Sequence, residues 1–120
     1  MKPGSRILVV DDNEAAATSL AKLLSLRGYT VETCFNGEDA VKAALSFKPA
    51  AAILDIGLPD MTGYDLCKML HAQGYEGASI ALTGFGQDSD RTEAEHAGFD
   101  FHLVKPAGLA EIEAVFAQIP

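Results

Sequence analysis

With 120 residues, 48% of them hydrophobic and 22% charged, the chain can bury one core without staples, and its composition excludes collagen-like, disordered and disulfide-scaffold classes. Nine Lys and Arg face 17 Asp and Glu, a formal charge of -8. That balance argues against sequence-independent nucleic-acid binding and against attraction to an anionic membrane, which both need clustered basic residues.

Residues 1–5, Met-Lys-Pro-Gly-Ser, read as a linker or expression remnant, and residues 6–120 as one domain. The apolar run 7–10 reads as a buried strand. Residues 13–27 place Ala16, Leu20, Leu23, Leu24 and Arg27 at helical spacing, and Gly28 stands where a left-handed C-cap belongs. Residues 29–35 alternate and read as an edge strand. A helix over 38–47, with Ala40, Val41, Ala44 and Leu45 as its stripe, ends ahead of Pro49, since the residue before proline avoids helical geometry.

Residues 50–54 form the next apolar run. Thr62 and Asp65 have capping-box spacing at the head of a helix over 63–73, which shows Leu66, Met69 and Leu70 and stops at Gly74. Strands follow at 80–82 and 101–104. Between them, residues 88–97 offer only two alanines as an apolar face, which predicts a short, poorly anchored helix. The last helix, over 108–118, carries Leu109, Ile112, Val115, Phe116 and Ile119. Strand and helix alternating five times predict an α/β fold, a parallel sheet with helices on both faces, because parallel strands need crossover connections.

Cys34 and Cys67 lack metal-ligand spacing and are expected as buried free thiols. No apolar run approaches the roughly 20 residues of a membrane helix, and no signal-peptide pattern opens the chain. A cytoplasmic protein with no membrane or direct nucleic-acid partner is expected.

Ligands of open parallel sheets bind beyond the carboxyl ends of the strands. The residues following the runs are Asp11 with Asp12, Asp55, Thr83 and Lys105. Asp11 and Asp12 also suit the turn and N-cap of the first helix. Three carboxylates brought together repel unless a cation sits among them. Mg²⁺, or Mn²⁺ in its place, suits such an oxygen-rich site with few carboxylates, waters and a phosphate oxygen. Asp55 is the candidate nucleophile, since a carboxylate can accept a phosphoryl group as an acyl phosphate. Lys105 supplies a point charge and Thr83 a hydroxyl for phosphoryl oxygens.

The motifs Ile7-Leu-Val-Val-Asp-Asp12, Leu54-Asp55-Ile-Gly-Leu-Pro59-Asp-Met-Thr-Gly63, Ala81-Leu-Thr83-Gly84 and Leu103-Val-Lys105-Pro106, in this order, resemble the receiver domain of two-component response regulators. The resemblance implies a flavodoxin-like doubly wound sheet of order 2-1-3-4-5. It implies Mg²⁺ held by Asp12, Asp55 and the Gly57 backbone carbonyl, with Asp11 acting through water. It also implies that Asp55 is phosphorylated by a phosphohistidine of a histidine kinase or histidine phosphotransfer domain. Such a chain is a phosphoryl acceptor with at most self-catalysed phosphotransfer and autodephosphorylation.

Thr83 then moves toward the phosphoryl group, Lys105 holds it ahead of a cis Lys105–Pro106 bond, and Gly84-Phe85-Gly86 forms the entry to the element that shifts. Pro59, Gly63 and Pro106 are backbone devices. His102 stands where the family often carries an inward-turning aromatic; it either takes that rotameric part or is a half-exposed strand residue. Phe85 is either core or a shield of the phosphoryl group, while His71 and His96 are expected to be solvated.

Glu111 and Glu113, with no Lys or Arg on the last helix, depart from the charged dimer face of DNA-binding regulators, so a monomer is expected. The segment 98–106 is similar to receivers attached to hybrid sensor kinases, which makes membership of such a kinase one expectation and a stand-alone receiver the other. A Mg²⁺-dependent phosphatase working through an aspartyl phosphate is the alternative. It usually needs a carboxylate two residues after the nucleophile, where Gly57 stands. A flavin-binding fold of the same topology ranks last: Asp-Asp-Asn follows the first strand and no Trp is present.

Overall fold

The computed structural model describes residues 1–84 and 96–120. Five strands, β1 (Arg6–Val10), β2 (Thr30–Cys34), β3 (Ala51–Asp55), β4 (Ala78–Thr83) and β5 (Phe101–Val104), form one sheet in the order β2-β1-β3-β4-β5. All four pairings are parallel. Four helices lie within the described residues: α1 (Glu14–Leu26), α2 (Gly37–Phe47), α3 (Gly63–Ala72) and α4 (Leu109–Phe116). None is long and apolar enough to cross a membrane. Phe85, Gly86 and residues 88–95 of the weak helix lie outside the described residues; its last positions, His96 and Ala97, are helical.

The strands are continuous apolar runs because both faces of the sheet are covered. Ile7, Val9, Ile53, Ile80 and Leu82 point to the side of α1 and α4, where they meet Ala17, Leu24, Ile112 and Phe116. Leu8, Val10, Ala52, Leu54 and Ala81 meet Ala40, Ala44, Leu66, Cys67 and Leu70 of α2 and α3. The register therefore delivers the ends of β1, β3 and β4 to one edge. Cys34 and Cys67 are buried, free thiols, and burial pushes both up to about 11.

Helix faces differ in detail from those expected. On α1 the buried residues are Ala17 and Leu24, and Leu23 is exposed. On α2, Ala40, Ala43 and Ala44 are buried while Leu45 is exposed, and on α3 Met69 is exposed beside buried Leu66, Cys67 and Leu70. Small residues let α2 approach the sheet closely, so the larger side chains at the stripe's rim stay outside. The stop signals behave as expected: Gly28 and Gly74 follow α1 and α3 at φ of 96° and 90°, conformations with no steric cost for glycine.

His71 is not merely solvated. Its Nε2 lies 3.1 Å from the Gly98 carbonyl, tying α3 to the approach to β5. The acids of α4 are also engaged: Glu113 pairs with Arg27 at 3.4 Å, and Glu111 accepts the Gly108 N–H at 3.4 Å.

Candidate functional site

The carboxyl edge of the sheet gathers five side chains. Asp55 ends β3, Asp11 and Asp12 follow β1, Thr83 ends β4, and Lys105 follows β5. Asp11, Asp55 and Thr83 are 4%, 6% and 1% exposed, whereas Asp12 is exposed. Lys105 closes the group: its Nζ lies 3.1 Å from Asp55 Oδ2 and 3.3 Å from Asp11 Oδ2. Its backbone N–H donates to the Thr83 carbonyl at 2.7 Å, which fixes where the side chain starts. The Lys105–Pro106 peptide bond is cis.

Charge and burial compete here. Burial raises the Asp11 carboxyl above its ordinary value, the Asn13 N–H at 3.0 Å opposes this, and the Asp55 charge reinforces it against Lys105. Burial by itself lowers the Lys105 ammonium, but its hydrogen bonds and charge contacts with Asp55 and Asp11 outweigh it, and the net direction is upward. The cation is thus held protonated by the two carboxylates it bridges.

The turn after β1 separates two roles that the residue types alone left open. Asn13, rather than Asp11 or Asp12, is the N-cap of α1, its side chain accepting the Ala16 N–H at 3.1 Å. Asp11 and Asp12 are therefore spared for the site. Carboxylate oxygens of Asp11, Asp12 and Asp55 lie within 4.8 Å of one another. Three carboxylates against one ammonium leave uncompensated negative charge in a half-buried site, and an all-oxygen donor set of this size fits a hard divalent cation.

The loop after β3 is built tightly. The Gly63 N–H donates to the Ile56 carbonyl at 2.9 Å and flanks an antiparallel bridge between Gly57 and Thr62. Gly57 occupies the position of that bridge that forms no hydrogen bond across it, so its carbonyl is not consumed by Thr62. The Gly57 N–H donates to Asp55 Oδ1 at 3.3 Å. Only glycine fits at position 63, where a Cβ would stand 2.5 Å from the Asp55 carbonyl and 2.8 Å from the Ile56 Cα. Thr62 caps α3 by accepting the Asp65 N–H at 3.1 Å, and Pro59 lies exposed in the loop.

Thr83 and His102 are partners. Thr83 Oγ1 lies 3.1 Å from His102 Nε2 and 3.5 Å from the Leu103 carbonyl. Gly84 follows Thr83 at the exposed rim. One contributor escaped the sequence reading: Asp60, at the tip of the loop after β3, accepts N–H bonds from Gly37 and Glu38 of α2. Its place two residues after Leu58 in a proline-containing turn carried no sign of a partner 23 positions away.

The family model of the response regulator receiver domain matches residues 7–117. The chain belongs to this family. It is a receiver domain of two-component signalling, and the sheet order and the four motifs agree with that membership. Response regulator MprA of Mycobacterium ulcerans is 38% identical over 109 residues, which are 91% of this chain and 47% of MprA; MprA of Mycobacterium avium is likewise 38% identical. The chain spans about half the length of the curated relatives it matches.

Among solved structures, a response regulator from Chloroflexus aurantiacus is 30% identical with a TM-score of 0.87, each chain covered over 98% of its length. Response regulator TrrA of Thermotoga maritima, solved in complex with Mg(2+)-BeF, is 28% identical with a TM-score of 0.85, covering 97% of this chain and 99% of its own.

Proposed function

We propose that this receiver domain accepts a phosphoryl group on Asp55 from a phosphohistidine of a histidine kinase or histidine phosphotransfer domain, and that the cytoplasm is where it does so. The observation that carries the reading is the bridging of buried Asp55 and Asp11 by Lys105 beside the three-carboxylate cluster. In the transfer, the phosphorus–nitrogen bond of the donor breaks as an Asp55 carboxylate oxygen bonds to phosphorus, and the histidine leaves with the bonding pair. Asp11, Asp12, Asp55 and the Gly57 carbonyl would hold Mg²⁺ or Mn²⁺, with Asp11 acting through water. When bound, the cation neutralises charge on the phosphoryl oxygens. Lys105 pairs with a phosphoryl oxygen after transfer, and with a divalent cation bound the site would support slow self-catalysed uptake and loss. Gly57, where a phosphatase would carry a general acid, gives turnover of external esters no support.

Incubation with acetyl phosphate and Mg²⁺ is expected to add one phosphoryl group by intact mass, to fail with a chelator, and to be reversed by hydroxylamine, which cleaves acyl phosphates. A chelator-resistant or hydroxylamine-stable adduct would count against the reading.

The signal then passes through Thr83, whose hydroxyl turns from His102 to the phosphoryl oxygens. Loading with beryllofluoride, a phosphoryl mimic, is expected to shift the His102 ring nitrogens in ¹⁵N NMR in the parent and not in Thr83→Val, which keeps the shape and lacks the hydroxyl. Equal shifts in both would remove Thr83 from the path. The acids engaged within the fold at α4 favour a monomer. Attachment to a hybrid sensor kinase rests on the wording of residues 98–106 alone.

A further inference from the structure

The loop after β3 is pinned at its base and needs a second hold at its tip if Gly57 is to keep one position. At the base, the Ile56 N–H donates to the Leu82 carbonyl at 3.3 Å and Gly63 closes onto Ile56. At the tip, the Asp60 carboxylate forks across the first turn of α2: Oδ1 accepts the Gly37 N–H at 2.8 Å and Oδ2 the Glu38 N–H at 2.9 Å. The next donor, Asp39 N–H, is taken by the Asn36 side chain at 2.8 Å. The first three N–H groups of the helix, which have no intrahelical partner, are therefore all satisfied, two of them by a residue of the loop. Met61 adds packing beside the fork, since a Cβ on Gly37 would stand 2.5 Å from its Cγ and Sδ.

Helix α2 has little need of this carboxylate. Asn36 already caps it, and Glu38 and Asp39 already place negative charge in its first turn. The loop has more to gain, because residues 58–61 have no ladder of their own, and a fork of two charge-assisted hydrogen bonds fixes both distance and orientation. The Gly37 and Glu38 N–H groups hold the Asp60 carboxyl below its ordinary range, so the fork persists at neutral pH.

We propose that Asp60 is a positioning residue that, by straddling the first two N–H groups of α2, holds the tip of the loop and thereby the Gly57 carbonyl in place for the divalent cation. The inference rests on Gly57 being a ligand, as read above. Outer residues that orient metal ligands typically contribute about 10- to 100-fold in affinity, and Asp60 acts on one ligand of several, which sets the expectation at the lower end.

The test is Mn²⁺ titration by electron paramagnetic resonance on the parent, Asp60→Ala, Asp60→Asn and Asn36→Ala, paired with amide exchange at Gly57 in metal-free protein. Asp60→Ala is expected to weaken Mn²⁺ binding about tenfold and to speed Gly57 exchange. Asp60→Asn, whose amide oxygen still accepts one bond, should fall between it and the parent. Asn36→Ala, which removes the other cap of the same helix, should lower stability to denaturant yet leave Mn²⁺ affinity and Gly57 exchange unchanged. Parent-like affinity and exchange in Asp60→Ala would overturn the proposal, as would equal weakening by Asn36→Ala, which would make it a matter of helix stability. Absence of Mn²⁺ binding in the parent would overturn the metal reading itself, and unchanged Gly57 exchange in Asp60→Ala would then separately exclude the hold on the loop.

Discussion

Asp55→Asn is expected to take up no phosphoryl group from acetyl phosphate and Mg²⁺ while folding as the parent does. The amide oxygen is a poor nucleophile, so the acyl phosphate cannot form there. Its shape and polarity nonetheless match what surrounds it: the Gly57 N–H can still find an acceptor at the place of Asp55 Oδ1. Lys105 keeps Asp11 as its ion-pair partner at 3.3 Å. Losing one of two carboxylates that crowd one ammonium also relieves repulsion with Asp11, so the denaturation midpoint should hold or rise. Intact mass decides uptake, and urea unfolding decides whether the fold is kept. An adduct on the variant, with peptide mapping to Asp11 or Asp12, would move the acceptor off β3. Loss of uptake together with loss of the fold would leave Asp55→Ala, smaller and without any nucleophile, as the variant that settles nucleophile against scaffold, with uptake by it counting against Asp55.

The same arrangement shows what was readable in the residues and what was not. Strands β1, β3 and β4 were legible because runs covered on both faces are continuously apolar, and Asp11, Asp55 and Thr83 follow from knowing where those runs stop. Lys105 was legible for the same reason, although nothing in its neighbours shows that it bridges two carboxylates. Helix faces were legible only to within a residue: Leu23 and Leu45 fit an apolar stripe by spacing, yet alanines at 17 and 43 take sheet-facing places beside the expected Ala40 and Ala44, since closeness of approach is set by the partner element. Asp60 was illegible. Its function depends on a loop tip meeting the first turn of a helix 23 positions earlier, and a short acidic residue after Pro59 looks like any turn residue. The uses of Glu113 and His71, on Arg27 and on the Gly98 carbonyl, were hidden in the same way, because periodicity reports which side of an element is apolar and carries no information on which polar groups meet across elements.

Lys105→Met is expected to separate metal binding from phosphoryl chemistry by moving them in opposite directions. In the metal-free protein the ammonium is the counterion of two buried carboxylates at 3.1 and 3.3 Å, so its removal strands like charges facing one another. Breaking a fully buried pair costs about 3–5 kcal/mol; this side chain is 36% exposed, and solvent screening brings the expected loss to about 2 kcal/mol. Lys105→Arg, which keeps the charge, should lose much less. Divalent cation binding should tighten in Lys105→Met, because the cation no longer competes with an ammonium for Asp55. Two unit charges about 5 Å apart interact by roughly 3 kcal/mol at an effective dielectric constant near 20, and a part of that suffices for about tenfold in affinity. Saturating Mg²⁺ should therefore restore most of the stability lost, by linkage. Uptake from acetyl phosphate should nevertheless slow, since the charge that pairs with the arriving phosphoryl oxygens is gone. Urea unfolding with and without Mg²⁺, beside the rate of phosphate incorporation, reads all three quantities. Weaker Mg²⁺ binding in Lys105→Met would mean that Lys105 shapes the carboxylate cluster more than it competes for it.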